Sequence, residues 1–188
     1  GMVYLHAPLF ARAMKFVAPI RRFIGFPTVF NLLGPIVNPS QPKCQLLGVA
    51  NLDQMRLYNN VYRKIGIDYA IENSIEGYDE ISLTGNFKIT TNDYERIFSP
   101  ADIGMQQTQA SELMGGETKE DAMRIFDSVL ANTATESQKN VVITNAAFAI
   151  QVMERGKKSI DECIAIARES LESGRAEETL KKFIEINS

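Results

Sequence analysis

Two adjacent carboxylates, Asp79 and Glu80, follow Gly77 and Tyr78 in a polar segment that leaves an apolar run. Carboxylates paired on one short piece of backbone can meet a hard, oxygen-seeking cation. Magnesium is the natural candidate, since it keeps several waters and takes only one or two protein carboxylates when phosphate fills the rest of its shell. On the residues alone, a solvated Asp-Glu pair in a surface turn stays open as the alternative. The second concentration of chemistry is Val17 to Pro39, VAPIRRFIGFPTVFNLLGPIVNP. Arg21 and Arg22 lie on a short helix expected from Pro19 to Ile24, with the proline in its first turn and Gly25 as its stop. A guanidinium is a planar fork suited to a small carboxylate, although a plain surface arginine fits the same position. Beyond it, Gly34 and Pro35 make a turn at which another group could approach the backbone closely. Asn31 is expected to hold that loop through its amide. His6, the single histidine, sits between Leu5 and Ala7 and is better placed as a structural residue than as a general base.

These groups need a scaffold, and the pattern supplies one. Cys44 to Ala50, CQLLGVA, is a short apolar run of the kind buried in a parallel sheet. Asn51 caps a helix whose inward face is Leu52, Met55, Tyr58, Tyr62 and Ile65 and which Gly66 closes. Tyr69 to Ile71 is the next strand, followed by a polar loop from Glu72 to Gly77, so strand, helix and strand form a βαβ unit. Glu80–Leu83, Asn86–Thr91 and Arg96–Ser99 read as short strands of a small meander, and Pro100 to Gly104 as loop. Beyond Gly116 the period becomes helical. One helix carries the stripe Ala122, Ile125, Phe126, Val129 and Leu130, and Val141 to Met153 is apolar nearly all round. Ser159 and Glu162 stand in capping-box spacing before Ile160, Cys163, Ile164, Ala167 and Leu171, with Gly174 at the far end. An amphipathic helix from Ala176 to Ile186 ends the chain. The expected fold is α/β: a partly parallel sheet flanked by helices, a small β meander and a helical C-terminal third, in one domain over residues 1–188.

Composition narrows the function. With 188 residues, 45% of them apolar and 23% charged, the chain can bury a full core. Its net charge of −3 lacks the basic excess of a nucleic-acid binder. Cys44 and Cys163 are far apart with no CxxC spacing, so neither a disulfide scaffold nor a zinc site is indicated, and a cytoplasmic location fits. No run approaches the length of a membrane span.

The run from His6 to Pro39 resembles the anthranilate phosphoribosyltransferases, enzymes of tryptophan biosynthesis. His6, Ala7, Pro8, Leu9 and Phe10, then Ala13, Met14 and Lys15, then Val17 to Arg22 stand in the family's register, and similarity continues through Gly77–Glu80 to near the C-terminus. The resemblance implies the C-terminal part of a class III phosphoribosyltransferase-like fold, with residues 1–40 including helices that pack on an N-terminal helical domain. It implies transfer of a phosphoribosyl group from phosphoribosyl diphosphate to anthranilate, with Mg2+ as cofactor and a homodimer in the complete protein. Asp79 and Glu80 would hold the magnesium, Arg21 would contact anthranilate, and Gly34 and Pro35 would line the same entry. Ala11 and Arg12 replace a His-Pro found in many relatives, and Asn73 replaces a histidine. The family's glycine-rich GTGGD loop and Lys-His-Gly-Asn segment, which bind the diphosphate, would precede Gly1, so the chain alone is expected to be inactive. A related glycosyltransferase or nucleoside phosphorylase with another acceptor, and a non-catalytic paralogue, are the alternatives.

Overall fold

The computed structural model describes residues 2–10, 14–25 and 28–188, and the side chains of residues 7, 8, 14, 15, 18, 21 and 22 lie outside what it describes. The centre is a four-stranded mixed sheet in the order β1 (Cys44–Gly48), β2 (Asp68–Ser74), β3 (Phe87–Thr91) and β4 (Glu95–Phe98). The β1 and β2 strands run parallel, with Cys44 opposite Asp68 and Gly48 opposite Glu72. The remaining pairs are antiparallel, with Glu72 opposite Ile89 and Phe87 opposite Phe98. The expected βαβ unit and meander are both present.

Local chemistry explains the elements. Two short helices, α1 (Ala7–Phe10) and α2 (Met14–Ile24), lead the chain. The α3 helix (Leu52–Ile65) starts where the Asn51 side chain accepts from the Gln54 N–H at 3.0 Å and stops at Gly66, whose φ of 77° belongs to the left-handed region. Its Met55, Tyr58 and Tyr62 pack on Tyr69, Ile71 and Val49 from one face of the sheet. On the other face lies α5 (Glu136–Met153), which follows α4 (Lys119–Leu130), and α6 (Ile160–Glu172) packs behind it. There Phe148 meets the stacked Phe87–Phe98 pair edge-on, with ring centroids 6.0 and 5.9 Å away. All three rings are buried. The capping box expected at Ser159 and Glu162 is formed, with the Glu162 carboxylate accepting from the Ser159 N–H at 2.7 Å. The last helix is α7 (Arg175–Asn187). Among the described residues no helix is long and apolar enough to cross a membrane.

Several expectations are corrected. The helix bearing Arg21 begins at Met14, so Pro19 lies in its interior rather than its first turn, although Gly25 at φ 72° ends it as expected. The β1 strand is only half-buried along its length, because one edge carries no partner strand among the described residues. Residues 80–83 are not a strand: Leu83 is buried in the left-handed region at φ 58°, where an extended ladder cannot continue. Pro100–Ile103 is a 3-10 turn rather than plain loop. On α4 only Val129 of the expected stripe is buried, and Phe126 is exposed. The correction that matters most for function is that β2 does not end at Ile71. Glu72, Asn73 and Ser74 continue the strand, and all three are buried.

Candidate functional site

Because side chains alternate along a strand, Tyr69 and Ile71 face α3 while Ala70 and Glu72 face α5. The polar end of β2 therefore enters the interior on both faces, and each side chain there needs a use. Asn73 donates from Nδ2 to the Val49 carbonyl at 2.7 Å, tying the ends of β1 and β2 together. Ser74 donates from Oγ to the Glu80 carbonyl at 2.7 Å and accepts from the Ser82 N–H at 3.1 Å. The Ser82 hydroxyl lies 2.7 Å from that of Thr84, which donates in turn to the Glu76 carboxylate. A line of hydroxyls thus braces the loop between Ser74 and Phe87 from below.

The loop bearing Asp79 and Glu80 is held from two further sides. Its turn is tight, with the Gly77 N–H donating to the Ser74 carbonyl at 2.8 Å and Gly77 at φ 105°. The chain then folds back so that the Asp79 carbonyl lies directly over the Cα of Gly48. A Cβ at Gly48 would overlap that oxygen outright, which is why the end of β1 is glycine. From α5, Asn145 embraces the next residue with its amide: Oδ1 accepts from the Ile81 N–H at 3.0 Å and Nδ2 donates to the Ile81 carbonyl at 2.9 Å. The backbone from Asp79 to Ile81 is therefore fixed. By contrast, the Asp79 and Glu80 side chains are exposed and form no hydrogen bond or ion pair among the described residues. Two carboxylates on a rigid platform at the carboxyl ends of parallel strands occupy the place where open α/β sheets bind ligands.

Beneath them lies a residue the sequence pattern had put in the loop. Glu72 is 4% exposed, and its Oε2 has no hydrogen-bond partner. Glu72 and Gly48 are register partners, so both direct their side-chain positions to the sheet face over which Asp79 passes. Burial, with smaller contributions from the Glu80 and Asp79 charges, pushes the Glu72 carboxyl up to about 8.

The other expected site residues fall elsewhere. Arg21 is on α2, but its side chain lies outside the described residues, as do Ala11 and Arg12. Asn31 accepts from the Thr28 N–H at 3.0 Å, the loop-holding role expected of it. Gly34 is exposed with open space where a Cβ would point. Pro35 lines a hollow of about 450 Å³ with Ile36, Pro42, Tyr62 and Ile67, at the beginning of β1 and β2 and thus at the opposite end of the sheet from Asp79. Asn73 is a buried strand tie. His6 is exposed and stacks on Tyr4. Of the residues that sequence reasoning missed, Gly48 carried a signal, since glycine inside an apolar strand marks a close backbone approach. Asn145, an amide within the mostly apolar run Val141–Met153, carried another.

Residues 1–177 match the glycosyl transferase family, a/b domain. The chain belongs to this family. Its relatives include the anthranilate phosphoribosyltransferase of Phocaeicola vulgatus, 57% identical over 188 residues, and that of Bacteroides thetaiotaomicron, 56% identical. Each alignment covers all of this chain and 56% of the relative, so the chain spans about half the length of the curated relatives it matches. Among solved glycosyl transferases of this kind, the Saccharomyces cerevisiae anthranilate phosphoribosyltransferase in complex with PRPP and Mg superposes with a TM-score of 0.85 at 28% identity, covering 97% of this chain and 52% of that one. The Thermus thermophilus enzyme gives 0.87 at 28% identity, covering 96% and 54%. The mixed four-stranded sheet and its flanking helices thus belong to the family's α/β domain.

Proposed function

We propose that this chain is the α/β half of an anthranilate phosphoribosyltransferase, in which Asp79 and Glu80 hold the magnesium of phosphoribosyl diphosphate and Arg21 receives anthranilate. The observation that carries this reading is the platform itself: backbone clamped by Gly48, Ser74 and Asn145, bearing two carboxylates that no protein group engages among the described residues. The donor set fits a hard cation, since it is all oxygen, and the orphaned Glu72 Oε2 adds uncompensated acceptor capacity below it. Magnesium bound there would supply the positive charge that stabilises the departing diphosphate. Asp79 and Glu80 serve that end by presenting their oxygens from a backbone that needs no rearrangement. Arg21 would pair its guanidinium with the anthranilate carboxylate and orient the amine toward the ribose carbon. The same reading has residues 1–40 pack on the remainder of a longer, cytoplasmic, homodimeric enzyme. It also leaves the isolated chain inactive, because the backbone that cradles the diphosphate would come from that remainder.

The test is a chimaera joining this chain to the N-terminal half of the Phocaeicola vulgatus relative. Asp79→Asn with Glu80→Gln should raise the magnesium concentration needed for half-maximal turnover at least tenfold. An unchanged magnesium dependence contradicts the reading.

A further inference from the structure

Among the described residues Glu72 is the one buried carboxylate, and the fold itself gives it no role. A carboxyl with 4% exposure is ordinarily hydrogen-bonded. The Oε2 of Glu72 has no such partner among the described residues. Its neighbours in the sheet show what the interior expects at such positions: Ala70 on the same strand and Ile89 across on β3, on the same face, are fully buried and apolar. An aliphatic residue would satisfy the packing at less cost. The position is also particular, because the Gly48–Glu72 register puts the Glu72 side chain on the face crossed by the Asp79 carbonyl, the backbone that bears the exposed pair. Three acidic residues converge on the carboxyl ends of β1 and β2, one from inside and two from outside. Among the described residues no three of them stand close enough together to ligate one ion directly. An acceptor set back from the first shell suits an ion that keeps its waters, since metal-bound waters are strong donors.

We propose that Glu72 is an outer carboxylate of the Asp79–Glu80 cation site, accepting hydrogen bonds from the waters of a bound divalent ion and so raising the site's affinity from beneath. This rests on the metal reading given above. In the absence of the ion the buried carboxylate weighs against the fold; with the ion its acceptor capacity is met. Stability and affinity should therefore change in opposite directions when it is removed, which a purely structural residue would not do.

The experiment titrates this chain with Mn2+ alone, read by the loss of the free-ion electron paramagnetic resonance signal, and measures melting temperature with and without the ion. Glu72→Gln keeps the shape, and Glu72→Met fills the volume with no oxygen. Both should melt higher than the parent in chelator, bind Mn2+ at least fivefold more weakly and lose most of the metal-induced rise in melting temperature. Asp79→Asn should bind weakly as well, with a metal-free melting temperature close to the parent's. Parent-like Mn2+ binding by both Glu72 variants while Asp79→Asn binds weakly overturns the role of Glu72 and leaves the metal reading standing. Parent-like binding by Asp79→Asn too, or no binding by the parent, overturns both. Misfolding or a lower metal-free melting temperature in both Glu72 variants overturns the inference, because it makes Glu72 a structural residue.

Discussion

The leading arm, residues 2–37, and the body from Cys44 onward obey different rules. In the body, apolar side chains find one another: Tyr62, Phe87, Phe148, Ile71 and Ile89 are all within 1% of complete burial. In the arm only Leu32 and Ile36 join that packing, against the Tyr58 and Tyr62 side of the core. Phe23 is 93% exposed and Phe16 79%, and Leu9, Ile20 and Val29 are also open. The body closes its own core, whereas the arm carries the helix α2, on which Phe16, Ile20 and Phe23 are exposed. An apolar surface of this extent signals an interaction surface rather than a solvated one. The two ends of the proposed site divide along this line, with the metal end on the closed body and Arg21 on the open arm. Pre-organisation can therefore be read directly only at the metal end.

The contrast is broken most forcefully in the core. Phe148→Ala removes the ring that meets both Phe87 and Phe98 and should cost about 3–5 kcal/mol in urea unfolding. A loss no larger than that of an arm residue would mean the body is not the self-sufficient unit described here.

The next effect is one of pH and belongs to Glu72. Its carboxyl is raised from 4.5 to about 8 in the folded chain, so between those values the native state holds a proton that the unfolded state has lost. Stability must then fall as pH rises across that window, the reverse of the usual carboxylate behaviour. Metal-free urea melts at pH 5 and pH 8 should show the decline in the parent, and Glu72→Gln should flatten it. An equally steep decline in the variant would place the titrating group elsewhere.

Smaller still is Gly48→Ala. The new methyl meets the Asp79 carbonyl, so the loop must shift, at about 1–3 kcal/mol. Calorimetric Mn2+ binding should weaken along with stability, whereas full metal affinity in a destabilised Gly48→Ala would detach the platform from the site. At the bottom of the scale, Phe23→Ala should change the stability of this chain by less than about 0.5 kcal/mol. Denaturant midpoints read this directly, and a core-sized loss would show that the arm is packed in solution.

Much of the body was legible because its signals are local. Asn51 and Gly66 bracket α3, Ser159 and Glu162 open α6, and the apolar runs on either side of α3 announce parallel strands. The platform was legible only in part. Asp79 and Glu80 stood out by chemistry, yet the segment supporting them was misread, since Glu-Asn-Ser after an apolar run has the composition of a loop. Its burial depends on partners distant in sequence: Val49 for Asn73 and, for the loop that Ser74 braces, Asn145 across 64 positions from Ile81. Residues 80–83 went wrong for the same reason. Ile81 gives its backbone to an amide on α5, and Leu83 turns left-handed, so an alternating pattern that suits a strand is spent on a brace. The arm shows the converse, because the most specific sequence resemblance lies where the chain's own packing is poorest.

The central claim is that one site has two separable ends. The direct test is steady-state kinetics of the chimaera carrying Arg21→Lys or Asp79→Asn, with both substrates varied. Arg21→Lys should raise the anthranilate KM strongly and leave the phosphoribosyl diphosphate KM nearly unchanged, because a point charge cannot replace a bidentate fork. Asp79→Asn should do the reverse, with its defect deepening as magnesium is lowered. If both substitutions shift the same substrate's KM, or if neither shifts any, the division of the site between arm and body is wrong.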